Sequence, residues 1–193
     1  MADVIAQLLV GGASPVTVGG TGTSAKYFPA VPGASIGVAS ANVGYVYIPG
    51  NSAVNGQTLY VDVCGSYTLD PTDSSSPTVL IELVGTKNPT AASPTYTVLA
   101  TTGSVSSSGI GVASDNFNIG LRMFGDSVSG LVSGVYTAVM NNALKSSPPT
   151  IITNPLTGVN FAANEPFALA VRITFSVTGA ANSASLYQFD LSA

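Results

Sequence analysis

The sequence has no histidine and no tryptophan, and it has little charge: five Lys and Arg and nine Asp and Glu among 193 residues. Without histidine, the chain lacks the commonest general base and the commonest metal ligand at neutral pH. Charged residues make up 7% of the chain, against roughly 25% in an ordinary soluble domain. Since a free monomer normally keeps apart from its neighbours by surface charge, these absences favour a structural or interaction protein over an enzyme.

The net charge of -4 and the spacing of the basic residues argue against nucleic acid and anionic membranes as partners. Five basic side chains stand singly rather than in clusters: Lys26, Lys87, Arg122, Lys145 and Arg172. The single cysteine, Cys64, cannot form an intramolecular disulfide and is interpreted as a small apolar residue within a strand. The N-terminal MADVIAQLLVGG lacks the basic region of a signal peptide, so we expect synthesis in a cytosol without export by that signal.

Hydrophobic residues recur mostly with period two, which indicates strands with one buried face. The clearest run is Pro166 to Val177, where Phe167, Leu169, Val171, Ile173 and Phe175 are expected to face one core. Similar alternation predicts strands at 59–63, 117–123 and 187–191, and further candidates are 43–48, 79–84, 96–101 and 131–140. About eight such strands, separated by Pro, Gly, Asn and Asp turns, predict a single all-β antiparallel sandwich or jelly roll.

The first 40 residues differ from the remainder, because they are rich in Gly, Ser, Ala and Pro and show little strand periodicity. We therefore predict an extended or irregular N-terminal arm over residues 1–40 and a β-sandwich domain over 41–193. The best helix signal, which is weak, is Asp3 to Leu9. An arm of this composition orders only when something holds it, either its own sandwich or a neighbouring subunit. Because the arm has few apolar residues to offset its ordering entropy, we predict that it contacts a neighbouring subunit.

One block resembles an enzyme motif: Phe124-Gly125-Asp126-Ser127 is similar to the block of GDSL esterases that carries the nucleophilic serine. Those enzymes also need a histidine base, and this chain has none, so the hydroxyl would lack activation. The favoured interpretation is a tight turn in which Asp126 and Ser127 bond to the local backbone. We predict no catalytic, cofactor-binding or metal-binding residue and no cofactor.

Other candidate sites are weak. The run Gly19 to Ser24 lacks the Gly-Lys-Ser/Thr and the following helix of a phosphate loop, and Asp70 with Asp73 supplies too few oxygens for calcium. Arg122 and Arg172 are expected on outward strand faces, where they can pair with Asp62, Glu82 or Asp190. The eight tyrosines fall mostly within strand patterns, so core or inter-sheet packing is favoured over an exposed sugar-binding platform.

Two stretches carry a family resemblance: FNIGLRMFGDSVSGLVSGVYTAVMNN (117–142) and the C-terminal NSASLYQFDLSA. A strand, a Gly-Asp-Ser-x-Ser-Gly turn and a second strand resemble the jelly-roll accessory proteins of tailed bacteriophage virions. The resemblance implies a capsid decoration or cement subunit, often trimeric, bound to the major capsid protein or other virion proteins.

The leading hypothesis is therefore a virion structural protein, made in the host cytoplasm, that stabilises the shell by binding across capsomers. Another capsid or tail structural jelly roll is a second hypothesis. A host-recognition or glycan-binding sandwich is a third, and a hydrolase ranks last. The chain is expected to be a homo-oligomer, with a trimer suspected.

Overall fold

A computed structural model describes residues 4–8, 16–19, 23–28, 43–52, 57–70, 77–106, 113–141, 149–156, 159–177 and 181–193. Over these residues the regular structure consists of strands alone, arranged in two antiparallel sheets. The predicted all-β sandwich is therefore confirmed. Within the same ranges, no helix has the length and apolar character needed to cross a membrane.

The larger sheet has seven strands in the order β1-β13-β5-β9-β10-β11, with β2 also paired to β13. Its strands are β1 (Val4–Leu8), β2 (Val16–Gly19), β5 (Thr58–Leu69), β9 (Ala113–Gly125), β10 (Val132–Met140), β11 (Thr150–Pro155) and β13 (Ser183–Ser192). Strands β5 and β9 form the longest ladder at the centre of this sheet. Most neighbours in the sheet are distant in sequence, as in jelly rolls.

The smaller sheet has six strands in the order β3-β12-β6-β7, with β4 also on β12 and β8 also on β6. Its strands are β3 (Lys26–Tyr27), β4 (Val46–Ile48), β6 (Thr78–Thr86), β7 (Thr97–Thr101), β8 (Val105–Ser106) and β12 (Phe167–Phe175). Strand β12 lies at its centre, because β6 pairs with one edge of β12 while β3 and β4 pair with the other.

One hydrophobic core fills the space between the sheets, and both contribute alternate residues to it. The side chains predicted for the central strand confirm the register, since Phe167, Leu169, Val171, Ile173 and Phe175 are all between 0% and 3% exposed. From the other sheet come fully buried residues that include Leu59, Val63, Ile119, Met123 and Phe189.

The number of strands is higher than the sequence predicts: the described residues form thirteen strands, against about eight predicted. The eight predicted runs correspond to β4, β5, β6, β7, β9, β10, β12 and β13. Strand β11 and the short β8 lie outside the predicted set, and β1, β2 and β3 come from the N-terminal segment.

The N-terminal segment supplies strands to both sheets in the parts that the structure describes. Val4–Leu8 and Val16–Gly19 pair with β13, and Lys26–Tyr27 pairs with β12. The weak helix signal from Asp3 to Leu9 is therefore wrong over its described part, since pairing with β13 supplies hydrogen bonds that a helix of one or two turns cannot secure. The division at residue 40, and a contact of this segment with a neighbouring subunit, stay predictions.

Candidate binding surfaces

The esterase-like block forms a hairpin tip between β9 and β10, as the turn interpretation predicts. The Asp126 carboxylate accepts hydrogen bonds from the backbone N–H groups of Val128 and Ser129, at 3.0 and 3.2 Å, and from the Ser129 hydroxyl at 2.6 Å. These bonds, led by that of the Ser129 hydroxyl, lower the pKa of Asp126. The Asp126 carboxylate is thus hydrogen-bonded within its own turn, and Ser127 is exposed at the tip.

No calcium or phosphate site is assembled from the candidate residues that the structure describes. The backbone N–H of Asp70 donates to the Asn182 side chain at 2.7 Å, while Asp73 lies outside the described residues. Among the described residues, no group of three or more His, Cys, Asp or Glu is placed to hold a metal ion. After the glycine-rich run, Lys26 begins strand β3 rather than a helix.

Cys64 lies within β5, as predicted, and its thiol is half-buried beside two carboxylates. Burial raises the pKa of this thiol, and the charges of Asp190 and Asp62 raise it further. A raised pKa keeps the sulfur protonated at neutral pH, so Cys64 is a poor nucleophile.

Arg172 forms the predicted cross-strand ion pair. Its Nε lies 2.6 Å from Oε2 of Glu82, directly opposite on β6. Both side chains are largely buried, with 22% of Arg172 and 10% of Glu82 exposed. Burial lowers the pKa of Arg172, but hydrogen bonds to Glu82 and Tyr27 outweigh that effect and raise it. Arg122 instead lies over the ring of Tyr60, with 5.5 Å between the guanidinium carbon and the ring centroid.

Four tyrosines share the outer face of the six-stranded sheet, here called the tyrosine face: Tyr27, Tyr45, Tyr47 and Tyr96. Tyr27 stacks on Tyr96 with 4.6 Å between ring centroids, and the hydroxyls of Tyr45 and Tyr96 are hydrogen-bonded at 2.5 Å. Tyr45 also contacts Tyr47, whose ring is 54% exposed. Three of these rings are therefore held in place beside one that is open to solvent.

Small residues beneath the rings explain how they pack. Ala170 on β12 and Val84 on β6 lie opposite each other, and both are buried under Tyr27, Tyr45 and Tyr96. Because Ala170 occupies little volume, Tyr27 of β3 and Tyr96, which directly precedes β7, can meet across β12 and β6. Burial is also the main cause of the raised pKa of Tyr45 and of Tyr96. Both hydroxyls thus remain neutral donors at physiological pH.

The expectation that most tyrosines pack in the core is wrong. Only Tyr67 and Tyr136 are buried there among the described residues, at 5% and 6% exposure. The other six lie on outer faces. Those within strands occupy positions out of phase with their buried neighbours, while Tyr45 and Tyr96 directly precede β4 and β7. The phase is readable from the sequence, since Tyr47 separates Val46 from Ile48 and Tyr60 separates Leu59 from Val61.

The outer face of the seven-stranded sheet carries exposed apolar and aromatic residues on four neighbouring strands, here called the apolar face: Tyr60, Phe124, Val135 and Ile151. Their exposed fractions are 37%, 43%, 41% and 64%. Tyr60 on β5, Arg122 on β9 and Val135 on β10 lie in one row across the sheet. Phe124 lies two residues beyond Arg122 on β9, while Ile151 faces Val139, four residues along β10 from Val135. Exposed apolar residues on adjacent strands of one sheet face are typical of a surface that contacts another protein.

A shallow depression of about 420 Å³ lies within the apolar face. Gly120 lies at its centre, because it has no side chain while Tyr60, Asp62, Arg122 and Thr137 surround it. A Cβ added to Gly120 would meet only the Asp62 carboxylate, at 3.7 Å, which is an ordinary contact. The depression is therefore open, and backbone crowding does not require the glycine.

No protein-family model and no curated protein matches the chain. Among solved structures, the chain is similar to the CBM2 module of the evolved Dit of Lactobacillus casei BL23 phage J-1, with 10% identity and a TM-score of 0.40 over 77% of this chain and 67% of that one. It is also similar to a Lotus tetragonolobus seed lectin, with 7% identity and a TM-score of 0.44 over 99% of this chain and 97% of the lectin. A family 7 alginate lyase, A1-II′, is similar with 14% identity and a TM-score of 0.33, over 70% of this chain and 62% of the lyase. At such identities and TM-scores the likeness does not extend to function.

Proposed function

We propose that this chain is a non-catalytic structural subunit of a bacteriophage virion, and that it decorates the capsid by binding shell proteins through its apolar face. The observation that carries the proposal is the group of exposed apolar side chains on four adjacent strands of a chain with only 7% charged residues. The resemblance of residues 117–142 to virion accessory proteins supports the same role. The proposed mechanism is binding alone: the subunit bridges neighbouring capsomers and catalyses no reaction.

The composition of the apolar face suits a protein partner. Interface centres are depleted in charge and enriched in aromatic residues and arginine, and this face combines Tyr60 and Phe124 with Arg122 stacked on the tyrosine ring. The depression at Gly120 would accept one protruding side chain from the partner. Such a pocket near the centre of an interface is where binding energy concentrates.

Purified phage particles provide the test. Quantitative mass spectrometry should recover this chain at a fixed ratio to the major capsid protein, and that ratio separates a decoration subunit from a principal capsid or tail component. Particles stripped of the chain should rebind the purified protein. A particle population that never contains the chain would overturn the proposal.

A matched pair of variants tests the surface. Val135→Ser on the apolar face should weaken rebinding about tenfold, since burying a valine side chain contributes about 1.5 kcal/mol. Val98→Ser is the control, because Val98 is similarly exposed, at 37% against 41%, but lies on the other sheet. Equal rebinding by both variants would exclude the apolar face as the contact surface.

A second candidate function, glycan binding, is favoured by the tyrosine face. The exposed Tyr47 ring offers an apolar surface for a sugar ring, and nearby tyrosine hydroxyls and the Arg172–Glu82 pair supply polar contacts. On a glycan array, Tyr47→Ala should abolish any signal of the wild-type protein. Tyr187→Ala, which removes a ring of 45% exposure from the other sheet, should leave it unchanged. An array without any wild-type signal would exclude this candidate.

A further inference from the structure

Strand β11 forms one edge of the seven-stranded sheet, and its outer side is unpaired within the described residues. The register with β10 shows which backbone groups face outward. Leu156 donates to the Gly134 carbonyl at 2.9 Å, and hydrogen-bonded positions alternate along an antiparallel ladder. The even-numbered residues of β11 therefore bond to β10, while Ile151 and Thr153 direct N–H and C=O groups away from the sheet.

Prolines occupy the outward-facing positions at both ends of this free edge. Pro149 precedes the strand, Pro155 ends it, and both are exposed. Since proline has no N–H, the edge offers two outward donors, at Ile151 and Thr153. Between the prolines the strand is uncharged and rich in β-branched residues, which makes it a good template for pairing.

This pattern of donors is complementary to itself. If a second copy of β11 lies antiparallel with Ile152 facing Ile152, then Ile151 of each copy faces Thr153 of the other. Four hydrogen bonds form, and they use every outward N–H and C=O of both residues. In the same register Pro149 faces Pro155, so no donor is buried without an acceptor. Shifting the register by two residues in either direction keeps four hydrogen bonds but places a proline opposite Ile151 or Thr153, so an outward carbonyl within the contact stays unpaired.

We propose that two copies of this chain pair through the free edges of β11, about a twofold axis at Ile152, and join their seven-stranded sheets. Among the described residues the edge is accessible, because a cleft of about 550 Å³ separates β11 from β7 of the facing sheet. No Lys, Arg, Asp or Glu occurs in β11 or β7 to repel the second copy. The contact uses the strand edge rather than the apolar face, and it does not depend on the virion role.

Sedimentation velocity on the purified full-length protein tests the pairing. The wild-type protein should show a monomer–dimer equilibrium that depends on concentration. Thr153→Pro removes one outward donor from each copy and should weaken dimerisation about 30-fold, which corresponds to two hydrogen bonds at about 1 kcal/mol each. Thr153→Ala keeps the N–H and is the matched control. If Thr153→Pro fails to fold, Asn154→Lys should weaken the dimer instead, because Asn154 is exposed on β11 outside the apolar face and lysine blocks strand edges.

Disulfide trapping tests the register in a Cys64→Ser background. Facing residues at non-hydrogen-bonded positions lie about 4.5 Å apart between Cα atoms, so Ile152→Cys should form an intermolecular disulfide on mild oxidation. Thr153→Cys should not, because the two cysteines would lie beyond the limit of about 7 Å. A wild-type protein that is monomeric at every concentration, or a trimer unaffected by Thr153→Pro, would overturn the proposal. Its failure would leave the apolar face, tested on particles, unaffected.

Discussion

Removal of the Arg172 guanidinium should destabilise the sandwich by about 3 kcal/mol, because it leaves the Glu82 carboxylate without its partner beneath the tyrosine face. Breaking a buried ion pair by deleting one partner typically costs 3–5 kcal/mol, and the residual exposures of 22% and 10% favour the lower end. Arg172→Met, which keeps the aliphatic volume, isolates the loss of charge. It also removes the hydrogen bond to Tyr27.

Thermal unfolding measures the effect. For a domain of this size, 1 kcal/mol shifts Tm by about 2–4 °C, so Arg172→Met should lower Tm by about 6–12 °C. The double variant Arg172→Met/Glu82→Leu should recover most of that loss, because it leaves no unpaired charge beside Val84 and Ala170. A double-mutant cycle then gives the coupling between the two side chains.

The exposed ion pair between Lys87 and Glu165 is the matched control. Its N···O distance is 3.0 Å, but 43% and 55% of the two side chains are exposed. Lys87→Met should therefore change stability by less than about 1 kcal/mol. If Arg172→Met is as mild as Lys87→Met, or if the double variant is less stable than the single one, the reasoning from burial is refuted.

Four further predictions follow from single positions. Ile173→Asp should not fold, since it places an unpaired charge at 0% exposure; a soluble, cooperatively melting variant would contradict the register. Gly134→Ala should lower the free energy of unfolding by more than about 2 kcal/mol, because the added Cβ would lie 2.0 Å from a backbone oxygen of β9. Gly120→Ala should be nearly neutral, and chemical denaturation of the two variants measures the difference. Burial raises the pKa of Tyr67 from 10.0 to about 12. The neutral Tyr67 hydroxyl therefore contributes fully to the free energy of unfolding below pH 10, and this contribution is lost as the pH rises toward 12. Tyr67→Phe should flatten the stability profile between these two pH values. Ser127→Ala should leave stability and particle binding unchanged, and an ester hydrolysis activity lost in this variant would revive the esterase hypothesis.

The sequence predicts the strands best where one face is apolar and the other polar. Alternation identifies β5 and β9, because those strands have one buried face, and it identifies the inward side of β12. It fails for β11, where Ile151 and Ile152 are adjacent and carry no period-two signal. It also fails for β1, because pairing with β13, over a hundred residues away, decides its conformation.

The binding surfaces were harder to predict than the strands. Alternation divides residues between two faces, but it does not say how much of the outer face is covered. Ala170 is buried although it points away from the core, because aromatic rings from distant parts of the chain cover that part of the sheet. The same long-range packing leaves Tyr47 exposed, and no local pattern distinguishes it from Tyr45.

Pairing through the free edge of β11 has a consequence for assembly size. An open strand edge on a chain with so few charges would otherwise permit heterologous, head-to-tail addition and growth into filaments. An isologous contact through β11 consumes the same edge in both partners, so growth by that contact stops at two. Pro149 and Pro155 confine the outward donors to the middle of that edge, because proline has no N–H. Replacing both with alanine should therefore add two outward donors to each copy and permit staggered pairings, while growth through this edge still stops at two.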